Sequence, residues 1–407
     1  MSGGGAQSGW ESLHFEELLS AGDLLCINVL GTQFAVRWGR AVTEVQQESM
    51  RAAWKRCAGS GARMVPPFPK EPTESLPFSA SVAYLSKVYD DGTFPLQAAS
   101  FEALAESLSS RLTAAAITEN AGELMMLDAC GVASPDTGAV IALVATSATG
   151  KTAAASVLAG TYGYITDQTV AIQPDGSVIP YPKPLSVDQE PGTPKRQVGP
   201  DQLWLQPAPP KPFLQSIVLL DRVDAEQSGD AGQGRPAPVL RQVTLADALL
   251  ALIPDSPSQA EIVEPLQSLC RLIDFVGGVW QVTYSEAADL PRVLEPLFRK
   301  RRRSRPRWEV AGPEADVGSI PDGWFRRVTP KDAVTVDGDV LLMPGTDVVR
   351  LRGIAAAIWE ATASALPPDE LAERVGAVQG RPEGYQAAVR AAVEQLTASA
   401  VLEQGGA

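Results

Sequence analysis

The chain has a single histidine, His14, among 407 residues. It sits in the Gly/Ser-rich opening stretch, so a histidine-based nucleophile pair or a His-ligated metal has nothing to draw on inside the fold. A general base there must be a carboxylate. Cysteine is scarce as well: Cys26, Cys57, Cys130 and Cys270 are scattered with no C-x-x-C pair, which excludes a zinc ribbon and a disulfide framework. They read as reduced, mostly buried thiols, the expectation for a cytoplasmic protein. No stretch approaches ~18 uninterrupted apolar residues, and Met1-Ser-Gly-Gly-Gly-Ala6 lacks a basic region and an apolar core, so neither a spanning helix nor a secretory signal is expected. Positive charge is in deficit, 34 Lys and Arg against 48 Asp and Glu, for a net charge of −14. Nonspecific nucleic-acid binding needs the opposite balance, and anionic membrane surfaces repel an acidic chain. The expected partners therefore include neither nucleic acid nor membrane.

What is present is globular: 45% hydrophobic and 20% charged residues, with 35 Gly and 33 Pro marking many loops. The length predicts two or three domains, since single cores seldom grow beyond ~250 residues. The organising stretch is Val140-Ile-Ala-Leu-Val-Ala-Thr-Ser-Ala-Thr-Gly-Lys-Thr152, an apolar run ending in a Thr-Gly-Lys-Thr turn before an alanine-rich segment. This predicts a buried strand, a tight loop and a helix, the geometry that presents main-chain N–H groups to a phosphate. It matches G-x-x-x-x-G-K-[ST] except that Ala145 stands where the first glycine belongs. Alanine costs about 1 kcal/mol or more there if the backbone is left-handed. An ordinary strand–turn–helix with a solvated lysine is the competing reading. In the phosphate reading Ser147, Gly150, Lys151 and Thr152 contact the nucleotide, with Thr152 on a magnesium ion.

Before this stretch, residues 1–20 read as a flexible arm and 21–122 as an α+β lobe. The lobe holds two strands in 24–38 about Gly31-Thr32, a helix over 42–57 with Val45, Met50 and Trp54 on one face, a strand over 79–85 and a helix over 101–112. After it, 162–172 is a strand interrupted at Thr166-Asp167-Gln168, and 178–185 is a stiff extended loop through Pro180-Tyr-Pro-Lys-Pro184. The strand 216–222 ends in Asp221, which either holds magnesium through water or caps a turn. Residues 223–237 read as a solvated loop, Thr244 opens a helix, and helices over 264–276 and 287–299 bracket a strand over 279–284. The run Arg299-Lys-Arg-Arg-Arg-Ser-Arg-Pro-Arg307 is the sharpest composition shift. It reads as a solvated linker over 301–320 or as a contact for an acidic partner. Residues 321–407 are short strands at Asp337-Gly338 and Pro344-Gly345 turns followed by three helices, a winged-helix-like module whose acidity points to peptide rather than DNA.

Two resemblances follow from these residues. The strand 124–131, the loop 145–152 and Gly163-Tyr-Ile-Thr-Asp-Gln-Thr-Val170 resemble the kinase core of HPr kinase/phosphorylase and its relatives in ribosomally made peptide (RiPP) pathways, including lasso-peptide kinases. That implies an α/β P-loop core over 123–300 using ATP and Mg2+, with Lys151 on the phosphates, Thr152 on the metal, and Asp167 serving the metal or the attacking hydroxyl. The chain departs from the family at Ala145, Ala148 and Gln168, and Asp128 is the nearest residue to the position of an upstream histidine. Val340-Leu-Leu-Met-Pro-Gly345, 348–351, Gly353-Ile-Ala-Ala-Ala-Ile-Trp359 and Gln395-Leu-Thr-Ala-Ser-Ala-Val-Leu402 resemble the PqqD-type peptide chaperone, the RiPP recognition element. That implies a leader peptide added as a strand along Val348, Val349, Arg350 and Leu351 and packed on Tyr385, Val389 and Val393. Plain core packing is the other reading of those apolar residues. Together the resemblances imply a leader-binding kinase that phosphorylates a Ser or Thr of a precursor peptide. The alternative they imply is a non-enzymatic adaptor that hands the precursor to partner modifying enzymes.

Overall fold

The computed structural model describes residues 24–59, 76–85, 92–145, 150–188, 192–223, 237–299, 307–312 and 315–406. The opening arm, most of the 223–237 loop, Ser147, Ala148 and the basic run between its two end residues lie outside the described residues.

In the N-terminal lobe, inward residues alternate along Leu24–Val29 (β1), and Gly31 at φ 90° turns the chain into Thr32–Trp38 (β2). Phe78–Tyr84 (β3) and Thr93–Ala98 (β4) complete an antiparallel sheet in the order β1-β2-β3-β4. The sequence pattern gives no sign of β4. Pro95 interrupts it and is tolerated because β4 is an edge strand. Two helices cover the sheet, Glu44–Ala53 (α1) capped by Thr43 and Phe101–Glu119 (α2) capped by Ser100. Met50 and Trp54 are buried as expected, but Val45 is 80% exposed. Val45 and Met50 are five residues apart, about 140° around a helix, so they do not share a face.

The central sheet is built from Met125–Ala133 (β5), Ala139–Val144 (β6), Gly163–Thr166 (β7), Thr169–Ile172 (β8) and Val178–Ile179 (β9). A small hairpin, Leu185–Val187 (β10) with Arg196–Val198 (β11), precedes Phe213–Arg222 (β12), Val239–Gln242 (β13) and Val279–Tyr284 (β14). The strand order is β13-β14-β12-β6-β5-β8-β9, with β7 also on β5. β6, β12 and β14 run parallel, whereas β5 is antiparallel to β6. Every residue of β6 is buried, as a strand covered on both faces requires. Burying Val140, Ile141, Leu143 and Val144 contributes about 1.5–3 kcal/mol each.

Lys151–Leu158 (α3), Leu245–Leu252 (α4), Pro265–Val276 (α5) and Leu290–Leu294 (α6) supply those covers. Val140, Ala142 and Val144 of β6 and Ile217 of β12 pack with α4 and α5 on one face. Ile141, Leu143, Val218 and Leu220 pack with α3 and α6 on the other. This period of two fixes where each side chain at the strand ends points. The helix expected over 287–299 is α-helical only at Leu290–Leu294, flanked by 3-10 turns. Pro291 and Pro296 each lack an N–H to carry a longer helix through.

In the C-terminal module, Trp308–Val310 (β15), Asp332–Val336 (β17), Asp339–Met343 (β18) and Val349–Leu351 (β19) form a sheet in that order, and Phe325–Arg327 (β16) pairs with Leu402–Gln404 (β20). Ile354–Ala361 (α7), Pro368–Gln379 (α8) and Tyr385–Ala398 (α9) pack on one face through Val340, Leu342 and Leu351. The opposite face, Val334, Val336, Leu341 and Met343, joins the core beneath α4 and α5. Polar ties hold it there. Gln267 donates its N–H and Nε2 to the Asp332 carboxylate at 3.0 and 2.8 Å, and Trp308 Nε1 donates to Asp274 at 2.8 Å. Among the described residues no helix is long and apolar enough to cross a membrane.

Candidate functional site

β6 delivers the chain to the loop, and α3 receives it. Gly150 caps α3 at φ 93°, a left-handed conformation that explains glycine there, and Lys151 is the first helical residue. Ala145 is buried and is not among the residues with positive φ, so its Cβ carries no left-handed strain. Ala154 and Ala155 let α3 lie close to the sheet, with Leu158 filling the remaining space.

Lys151 reaches towards β5. Its Nζ lies 2.7 Å from Asp128 Oδ2 and 3.4 Å from the Asp128 carbonyl. Asp128 is held in turn by its own N–H, which donates to the Asp255 carbonyl at 2.6 Å. Burial pushes the Asp255 carboxyl above the usual range, with Asp128 adding to the rise and Lys151 opposing it. The acid beside Lys151 is therefore Asp128, with Asp255 behind it. Ser147 lies outside the described residues. Thr152 follows Lys151 half-buried on α3, and its carbonyl accepts from Ser156 Oγ at 2.8 Å.

Asp167, expected to serve the metal or the attacking hydroxyl, is placed differently. Its side chain is 5% exposed and its Oδ1 is 3.0 Å from Lys183 Nζ, itself 5% exposed. Tyr164 donates its hydroxyl to the same oxygen at 3.2 Å, and Lys183 also donates to the Pro184 carbonyl at 3.2 Å. Burial and the Asp167 charge push the Tyr164 hydroxyl well up, keeping it a neutral donor. A carboxylate neutralised by a buried ammonium does not fit a magnesium ligand, because the cation already fills the place of the ion. The described side chains thus assemble no magnesium site around Asp167. Lys183, read as part of a stiff proline loop, carries no sequence signal of this role beyond a lysine between two prolines.

Asp221 is also turned away. Its Oδ2 accepts from Gln281 Nε2 at 2.8 Å and from Thr283 Oγ1 at 2.9 Å on the neighbouring strand β14. By the alternation along β12, Arg222 shares the α3 face with Val218 and Leu220, and it is Arg222 Nη1 that lies 3.6 Å from the point where a Cβ on Gly150 would sit. The Tyr284 hydroxyl is 4.0 Å from the same point. Burial raises that hydroxyl, and the Arg222 charge opposes the rise. Counting back two residues from Arg222 to Leu220 would have shown this parity in the sequence.

The proposed peptide residues divide. β19 is the outer strand of its sheet, with Val349 and Arg350 half-buried and Leu351 buried. Val348 packs against the central core. Arg350 is engaged within the chain, with Nη1 2.8 Å from Asp247 on α4 and Nη2 2.5 Å from Asp339. Val389 and Val393 are 3% and 6% exposed and pack with α7 and α8, and both also line a cavity along α8 and α9. Tyr385 donates its hydroxyl to Glu373 at 3.0 Å.

Among the described residues, a cavity of about 1160 Å³ opens at the opposite end of β6, between Asp136, Tyr162, Phe213 and Phe275. It lies at the far end of β6 from Lys151, which is not among its lining residues. No family model matches the chain, and no curated protein does. Among solved structures the chain is similar to the HPr(Ser) kinase/phosphatase from Coxiella burnetii, at 11% identity and a TM-score of 0.21, over 42% of this chain and 92% of that one. A likeness that slight carries no argument about chemistry here.

Proposed function

We propose that the protein binds a nucleoside triphosphate at the end of β6 and transfers its terminal phosphoryl group to a Ser or Thr hydroxyl of a precursor peptide held by the C-terminal module. The observation that carries this reading is Lys151 at the first position of α3, behind a left-handed Gly150, at the carboxyl end of parallel strands. Such a terminus offers main-chain N–H groups and the positive end of the helix dipole to an anion. In the transfer, the hydroxyl oxygen bonds to the terminal phosphorus, the bond to the bridging oxygen of the diphosphate breaks, and Asp128 takes the hydroxyl proton. Magnesium, expected with ATP, would add charge neutralisation when bound, and Thr152 is the described hydroxyl nearest to that role by sequence position. The outer strand β19 supports peptide capture by strand addition, which would tether the acceptor at about millimolar effective concentration.

The test has two arms. Wild-type protein should bind ATP, and Lys151→Ala should lose that binding while keeping its fold. Peptides encoded by short reading frames beside the gene, incubated with γ-labelled ATP, should take label on Ser or Thr. Equal ATP binding by Lys151→Ala rejects the site. A second reading, a leader-binding adaptor without transfer activity, is favoured by the Asp167–Lys183 pair, which occupies the acid expected to act. Peptide binding without any label transfer would select it.

A further inference from the structure

The charges around Lys151 do not by themselves suit an anion. Asp128 neutralises Lys151 directly at 2.7 Å, and Asp255 stands behind the pair, so the β5 side of the loop is neutral to negative. A polyphosphate approaching only this side would meet little net attraction. The β12 side differs. Arg222 is exposed, its guanidinium reaches the Gly150 cap of α3 within 3.6 Å of the added-Cβ position, and among the described residues no carboxylate pairs with it. Its neighbour Asp221 is spent on Gln281 and Thr283, on the other face.

We propose that Arg222 is a phosphate-contacting residue of this site, closing on the polyphosphate from the β12 side while Lys151 approaches from the β5 side. This rests on the nucleotide reading given above and deepens it, because two cations on opposite flanks of one strand select a chain of phosphates over a single one. Arginine fits this position because it stays charged at any working pH and presents parallel N–H donors to phosphate oxygens. Strand parity explains why Arg222 rather than the acid before it serves the loop.

The experiment is equilibrium binding of ATP, AMP and adenosine by calorimetry to wild type, Arg222→Ala and Arg222→Lys, with thermal melting as the folding check. Arg222→Ala should weaken ATP binding about tenfold or more, leave adenosine binding within about twofold, and shrink the preference for ATP over AMP; Arg222→Lys should recover part of the loss. If Arg222→Ala binds ATP as wild type does while Lys151→Ala does not, the nucleotide site stands and the role given to Arg222 falls. If ATP and adenosine weaken equally, Arg222 acts through the fold, and the proposal is overturned. If wild type binds no ATP, both readings fall together.

Discussion

Replacing Lys183 by methionine is the sharpest test of the new role given to Asp167. The two side chains are each 5% exposed and 3.0 Å apart, and Tyr164 donates a further hydrogen bond to Asp167. Removing the ammonium leaves a buried carboxylate with only the phenol for company. Breaking one side of a buried pair costs about 3–5 kcal/mol, whereas replacing both sides with apolar groups of similar volume is often neutral or stabilising. Lys183→Met and Asp167→Leu should each lose roughly that amount, and the double variant should recover most of it. At a urea slope of about 3 kcal/mol/M, a loss of ~3 kcal/mol moves the midpoint down by about 1 M. Urea unfolding followed by intrinsic tryptophan fluorescence reads this directly, and the cycle yields the coupling free of other effects of each change. Single variants within 1 kcal/mol of wild type, or a double variant as weak as the sum of the singles, would refute the ion-pair account and return Asp167 to the role of a free acid at the loop.

Two further outcomes follow from groups elsewhere. Burial pushes the thiols of Cys57, Cys130 and Cys270 up to about 12, so at pH ~8 only about one molecule in ten thousand carries each thiolate. Iodoacetamide should add to native protein at Cys26 alone and to all four cysteines in denaturant, by mass spectrometry; native labelling of Cys130 would contradict the packing of β5. The raised Asp255 carboxyl contributes stability in its protonated form, present in full below the unfolded value of about 3.9 and lost as pH rises through the folded value. Asp255→Asn cannot titrate, so its melting temperature should gain on wild type between pH ~4 and pH ~7. A difference independent of pH would remove the burial argument.

Much of the scaffold is legible in the residues. The apolar run into Gly150-Lys151, the interruption at Thr166-Asp167-Gln168, the Thr244 cap and the three C-terminal helices all appear where local pattern puts them. Local patterns read well because capping, glycine at positive φ and apolar periodicity act over a few residues. The misreadings have the same origin in reverse. The spacing that puts Val45 on the inward face does not repeat in a helix, and β4 is hidden by Pro95, which only its edge position makes acceptable.

The sequence by itself determined that a strand, a loop and a lysine-led helix follow one another, and that the chain is acidic with almost no histidine. The tertiary structure alone decided the charge partners: Asp128 with Lys151, Lys183 with Asp167, and Arg350 with Asp247. An ion pair is set by distances between elements far apart in the chain, and those distances depend on strand order and on which face each residue takes. Strand order is not written in any single stretch of residues.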